Sequence, residues 1–214
     1  MNALIIDCSS GMNLIIIKDK QEFVYFDNNE KRHSDELLNE LDHLLSEADL
    51  KVNQIDNICV CVGPGSFTGV RVAISICKGL AIGTGCKVFA LTNFDMVDLK
   101  DMKKAIVVLD GFSEYVYARI KDEENIYDVC LSIKDLKEKI NKLKYDVFVV
   151  DEKVQIKLKN NEILSNIAEN NIKTAFLNKI TQEENIEISK IVPVYLRASQ
   201  AEIERNKKIT AGVK

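Results

Sequence analysis

The residues whose types and spacing could do chemistry are concentrated in one loop. Gly63-Pro64-Gly65-Ser66-Phe67-Thr68-Gly69-Val70-Arg71 follows one apolar run and opens into another. Three glycines permit positive φ and close backbone approach, and a helix starting behind them offers free N–H groups. That combination makes a cradle for an anion. The same glycines would also serve a tight strand-to-helix turn that holds no ligand, and the spacing does not decide between the two. Two nucleotide motifs fail outright. A P-loop needs a lysine after its last glycine, where this chain has Val70 and Arg71. The dinucleotide fingerprint needs G-x-G-x-x-G, whereas the spacing here is G-x-G-x-x-x-G with no acidic residue closing the next apolar run at Leu91.

A second candidate is Asp7, followed by Cys8, Ser9 and Ser10. A carboxylate at the end of a first strand is where actin-like kinases hold the metal beside the phosphates. Ser9 and Ser10 lack the glycines that let a backbone wrap phosphate. These residues therefore read as a vestigial nucleotide site or as a turn capped by the aspartate. A small-molecule kinase or ATPase built on Asp7 and the loop at 63–69 is the enzymatic alternative. The only histidines, His33 and His43, stand ten apart and cannot form an i, i+4 metal pair. No Ser-His-Asp set can be assembled either. The expectation is no catalytic residue, no metal and no cofactor.

Composition narrows the classes further. In 214 residues the formal net charge is −4, so no strong basic field covers the molecule, and contact with nucleic acid should be indirect. None of the six cysteines forms a CxxC pair, and four sit in or beside apolar runs, as buried reduced thiols do. Asp7 interrupts the first apolar run, which argues against a signal peptide. No stretch approaches the roughly 20 apolar residues of a membrane helix. A soluble protein of a reducing, cytoplasmic compartment is expected.

The elements that must position these residues follow an order. Residues 3–7, 13–18 and 22–27 read as a strand meander. Residues 34–49 carry an apolar stripe of Leu37, Leu38, Leu41, Leu44, Leu45 and Ala48, so they read as an amphipathic helix with Ser34 as N-cap and Asp35 and Glu36 in its first turn. A buried strand at 58–62, a helix at 70–83 and a strand at 87–91 complete the unit. Strands at 105–109, 115–121 and 126–131, a helix at 134–143 and a strand at 145–150 repeat its beginning. Residues 151–190 show too weak a periodicity to place elements, 191–196 reads as extended, and 198–208 as a charged helix. This order gives an α/β fold with mixed sheets flanked by helices, as in ribonuclease-H and actin-like proteins. The divisions expected are a first lobe at 1–98, a smaller degenerate lobe at 99–190 and a terminal segment at 191–214.

The second helix has almost no polar side: Val70, Val72, Ala73, Ile74, Ile76, Cys77, Leu80, Ala81 and Ile82 are interrupted only by Arg71, Ser75, Lys78 and glycines. A helix apolar all round must be covered on both sides. Ala73, Cys77 and Ala81 form one small-residue row, and Gly79 with Gly83 another. Burial between the lobes of one chain would account for this. A subunit interface would too, built from Leu37, Leu41, Ala73, Ile76, Cys77 and Leu80.

GPGSFTGVRV resembles the signature of the TsaB family, formerly labelled YeaZ. Leu4-Ile5-Ile6-Asp7-Cys8-Ser9-Ser10 is similar to its I-D-T-S-T start, Arg32-His33-Ser34-Asp35-Glu36-Leu37-Leu38 to its H-S-E-x-L-L segment, and Pro193-Val194-Tyr195-Leu196-Arg197 to its late P-x-Y-L-R element. The chain departs at Asp110-Gly111-Phe112, where the family often has D-A-R. The resemblance implies two tandem actin-like lobes of the ASKHA type, the second reduced, with Gly63, Pro64, Gly65, Ser66, Phe67, Thr68, Gly69 and Arg71 as the signature loop. It also implies a non-catalytic, self-pairing scaffold that works with the catalytic paralogue TsaD and the ATPase TsaE. Their joint product is threonylcarbamoyladenosine beside the anticodon of tRNA.

Overall fold

In a computed structural model of the protein, which describes residues 1–27, 33–150, 152–163, 165–167 and 172–197, the chain opens as an antiparallel meander. Its strands are β1 (Asn2–Asp7), β2 (Met12–Lys18) and β3 (Gln21–Asp27). Helix α1 (His33–Glu47) leads to β4 (Asn57–Cys61), and α2 (Phe67–Thr84) leads to β5 (Lys87–Leu91). β4 and β5 run parallel to β1, giving the order β3-β2-β1-β4-β5. Every residue of β4 is buried, which is why its apolar run does not alternate. One face of this sheet is covered by α1 and α2, where Leu4, Ile6, Leu41, Ile58, Val60, Ala73 and Cys77 share a core. Helix α1 starts at His33, one residue before Ser34, the expected N-cap, and the side chains of Ser34 and Asp35 lie outside the described residues. On the expected stripe, Leu38 faces solvent and is 55% exposed, while Leu37, Leu41, Leu44 and Leu45 are buried.

The second lobe repeats the path with shorter pieces. β6 (Lys104–Asp110), β7 (Tyr115–Asp122) and β8 (Asn125–Ser132) form the meander; α3 (Ile133–Leu143), β9 (Asp146–Val149), α4 (Glu152–Lys159) and β10 (Asn166–Ile167) follow. Its order, β10-β9-β6-β7-β8, is the first sheet's order over again. The reduction falls on the crossovers: α4 has 8 residues where α2 has 18, and β10 has two where β5 has five. The fold is therefore α/β, with two tandem ribonuclease-H-like lobes of the actin-like class.

The chain then returns. Helix α5 (Ile172–Thr181) packs Ile172, Ala175 and Phe176 onto the free face of the first sheet, against Ala3, Ile5, Cys59 and Phe89. The Phe89 and Phe176 rings meet edge to face at 5.5 Å. Ile186 N–H then donates to the Val88 carbonyl, and Val194 N–H to the Val62 carbonyl, both at 2.8 Å. Residues from Ile172 to Val194 thus pack with the first lobe, although they follow the second in sequence. The helix expected at 198–208 lies outside the described residues.

Candidate functional site

Helix α2 begins three residues earlier than its apolar periodicity predicts, because Ser66 caps it. The Ser66 hydroxyl accepts from Gly69 N–H at 3.2 Å, and Ser66 N–H donates to the Ser9 carbonyl at 2.7 Å. The loop therefore leans on the turn after β1. Gly65 and Gly69 are what allow it: an added Cβ would stand 2.4 Å from the Ser9 oxygen at Gly65 and 2.0 Å from the Cys8 oxygen at Gly69. Gly63 takes φ +96°, a conformation that side chains strain to reach, and the Gly63-Pro64 bond is cis. The amides of Ser66 and Gly69 are thus spent within the protein. Asn93 stitches the same region together, since its Nδ2 donates to Ser9 Oγ and to the Pro64 carbonyl, each at 2.8 Å. Asn93 was not singled out from sequence; the signal was a polar residue just past the end of a parallel strand, where α/β sheets place their ligand crevices.

The loop borders a cleft of about 440 Å³ between the lobes. From the first lobe come Asp7, Ser9, Ser10, Pro64, Gly65, Ser66 and Phe67, and from the second Asp110, Gly111, Phe112 and Tyr117 among others. Asp7 and Asp110 close β1 and β6, which occupy the same place in their two sheets. Asp7 Oδ1 accepts from Ser9 N–H at 2.8 Å, so the aspartate caps its own turn while lining the cleft. Asp110 pairs with Lys157 at 2.7 Å. Phe112 has φ +72° and is 73% exposed. Among the described residues, no group of three His, Cys, Asp or Glu side chains could hold a metal ion. Burial, with the nearby Asp7 carboxylate adding to it, pushes the Cys8 thiol up to about 12, and burial pushes Cys77 up to about 12 as well. Cys59 and Cys61 are also raised, chiefly by burial. Among the described cysteines none is disulfide-bonded.

Arg71 does not enter the cleft lining. Its guanidinium lies 3.8 Å above the Phe67 ring and its Nε donates to the Tyr195 hydroxyl at 2.6 Å, while Phe67 and Tyr195 stack at 4.9 Å. The signature loop and the late P-x-Y-L-R element therefore meet in space.

The expected subunit face divides in two. Leu37, Leu41, Ala73 and Cys77 are interior to this single chain, because α1 turns the two leucines, and α2 turns Ala73 and Cys77, into the core they share with the first sheet. They cannot be offered to a partner, which corrects that part of the expectation. Val72, Ile76 and Leu80 are half-buried against the core, and the outward face is made of Arg71, Ser75, Gly79, Ile82 and Gly83. Ile82 is 74% exposed, and nothing lies within 4 Å of a Cβ placed on Gly79 or Gly83. By length and composition α2, with 18 residues, is also long and apolar enough to cross a membrane, which corrects the expectation that no stretch comes near that limit. Its packing on β4 and α1 makes it the central helix of a globular lobe.

Fold and cleft define an actin-like, two-lobed α/β protein. Over 93 residues it is 31% identical to "tRNA threonylcarbamoyladenosine biosynthesis protein TsaB" of Haemophilus influenzae, a match covering 41% of this chain and 39% of that one. A protein of the same name from Bacillus subtilis is 24% identical over 192 residues, covering 80% and 82%. The chain thus spans about two-fifths of the first relative and most of the second. Among solved structures, a protein from Pseudomonas aeruginosa described as similar to peptidase YEAZ superposes with a TM-score of 0.72 at 19% identity, over 92% of this chain and 99% of that one. Residues 27–194 match the family described as "TsaD: tRNA N6-adenosine threonylcarbamoyltransferase". The chain belongs to that family, and the relatives it matches are named TsaB.

Proposed function

We propose that this protein is a non-catalytic scaffold subunit, acting in the cytoplasm, in the formation of threonylcarbamoyladenosine on tRNA. The group is transferred to N6 of the adenosine next to the anticodon in tRNAs reading codons that begin with A. Chemistry falls to a TsaD paralogue, TsaE acts alongside, and tRNA reaches this chain only indirectly, in keeping with a net charge of −4. The observation that carries the reading is the outward side of α2, where exposed Ile82 and the half-buried edges of Val72, Ile76 and Leu80 flank two uncovered glycines. Small residues let a second helix approach closely, and an apolar strip of this kind fits helix-on-helix pairing better than it fits water. The same face pairs two copies of the chain when it is alone.

The competing kinase or ATPase reading draws on the cleft, which Asp7 helps to line. Against it stands the loop, whose glycines seat it on Cys8 and Ser9 and whose Ser66 and Gly69 amides are occupied. The test is co-purification with the TsaD paralogue of the same organism, followed by tRNA modification assays with and without each subunit. Modification that requires both chains is expected. Modification or steady ATP turnover by this chain alone would overturn the scaffold reading.

A further inference from the structure

We propose that residues 191–197 form a strap that holds the two lobes at one fixed angle, so that the cleft does not work as a closing jaw. The strap is anchored first in one lobe and then, without a break, in the other. Ile191 is buried in the core of the first lobe, and Val194 N–H donates to the Val62 carbonyl at 2.8 Å. Tyr195 stacks on Phe67, and its hydroxyl accepts from Arg71 Nε at 2.6 Å. The next residue, Leu196, packs into the cluster of Val107, Leu109, Tyr117 and Phe148 on the second sheet. Arg197 then lies 4.5 Å above the Tyr115 ring and donates from Nη1 to the Gly111 carbonyl at 3.4 Å. Gly111 is itself held close to β7: its N–H donates to the Tyr115 carbonyl at 3.2 Å, and an added Cβ would stand 2.9 Å from the Tyr115 and Val116 backbone. Phe67 and Gly111 both line the cleft, one from each lobe, so the strap joins its opposite walls.

The covalent link between the lobes is held in the same way at a separate point. Arg119 on β7 bonds Asp95 at 2.6 Å and Asp128 at 2.7 and 2.9 Å, and Asp95 sits in the short turn (Asn93–Met96) that follows β5. Phe94 and Val97 of this link pack on the second sheet, whereas Met96 packs on the first. Hinge closure needs a few residues free to absorb a change of φ and ψ with little else crossing between the bodies. Here the link and the strap are each fixed at both ends.

Amide hydrogen exchange on the full chain tests this directly, with small-angle scattering as the reading of shape. Arg197→Ala and the double variant Tyr195→Ala/Arg197→Ala should each speed exchange at the Val194 amide and over residues 111–116 by at least about tenfold, leaving β4 and β6 unchanged. The double variant should also show a larger radius of gyration. If the double variant fails to fold, Arg197→Ala carries the test alone, since that half-exposed side chain lies outside either lobe's core. Variants that exchange at the wild-type rate at Val194 and 111–116 would overturn the proposal. So would a wild-type Val194 amide that exchanges as fast as an unfolded peptide.

Discussion

Gly69 and Gly65 show how little freedom the signature loop has. A methyl on Gly69 would meet the Cys8 carbonyl oxygen at 2.0 Å and one on Gly65 the Ser9 oxygen at 2.4 Å, and both obstacles are backbone. Because no side chain can rotate out of the way, Gly69→Ala should destabilise the protein by about 3 kcal/mol, the upper end of ordinary overpacking. A fall in the urea midpoint, with the fold kept, is the measurement. The three glycines and their place after a buried strand could be read from the sequence. That two of them serve packing could not, because the atoms they make room for lie more than fifty positions earlier. The buried thiols give a second prediction at this scale. Cys8 and Cys77 rise from an ordinary 9.0 to about 12 through burial. Below 9.0 the thiol is neutral in both states; between 9.0 and about 12 only the unfolded chain ionises. Stability from these groups is therefore fully present below 9.0 and is lost as pH rises through that window. Denaturation followed against pH should show the decline, and Cys8→Ala/Cys77→Ala should make it shallower, with Cys59 and Cys61, also raised by burial, carrying a remainder. A decline equally steep in the double variant would assign it to other groups.

At the scale of elements, α2 separates what periodicity can and cannot reveal. Its near-continuous apolar character was plain, but which of two apolar faces looks inward depends on α1 and β4. The structure turns Ala73, Ile74 and Cys77 inward and Ile82 outward. Two charge substitutions on the same helix should therefore behave oppositely. Ala73→Glu places a carboxylate in a fully buried site, at a cost of several kcal/mol, and should unfold the first lobe. Ile82→Asp should keep the native circular dichroism and lower self-association, and a folded Ile82→Asp that sediments as the wild type does would place the contact on another surface. Strands β4 and β6 were readable because burial on both faces leaves an unbroken apolar run. Helix α5 was not, since only Ile172, Ala175 and Phe176 of its ten residues are buried. Such a narrow stripe, set among Asn, Lys and Glu, is too faint to mark a helix by itself.

At the scale of the whole molecule, the sequence suggests two consecutive lobes, whereas the packing is interleaved. Helix α4 and strand β10 fall in the stretch where no element could be placed. The order of the first lobe, and of the second as far as β9, was readable because strand and helix patterns are local. The return of α5 to the first sheet was not, because it joins Phe176 to Phe89 across the entire second lobe. That return decides whether the first lobe can stand alone. Without residues 172–194, one face of its sheet would expose Ala3, Ile5, Cys59, Phe89 and Leu91, all buried in the intact chain. An uncovered sheet face of this composition is an aggregation surface, and its loss from the core removes about 1.5–3 kcal/mol for each large side chain. A fragment of residues 1–98 should therefore fail to form a stable soluble lobe. The intact chain should instead unfold in a single transition that includes both lobes. Within the intact chain, Phe176→Ala should cost about 3–5 kcal/mol and lower that one transition as a whole. Calorimetry distinguishes the outcomes. Two separated transitions in the wild type, or a 1–98 fragment that melts cooperatively without the rest, would mean that α5 merely lies on a lobe already complete.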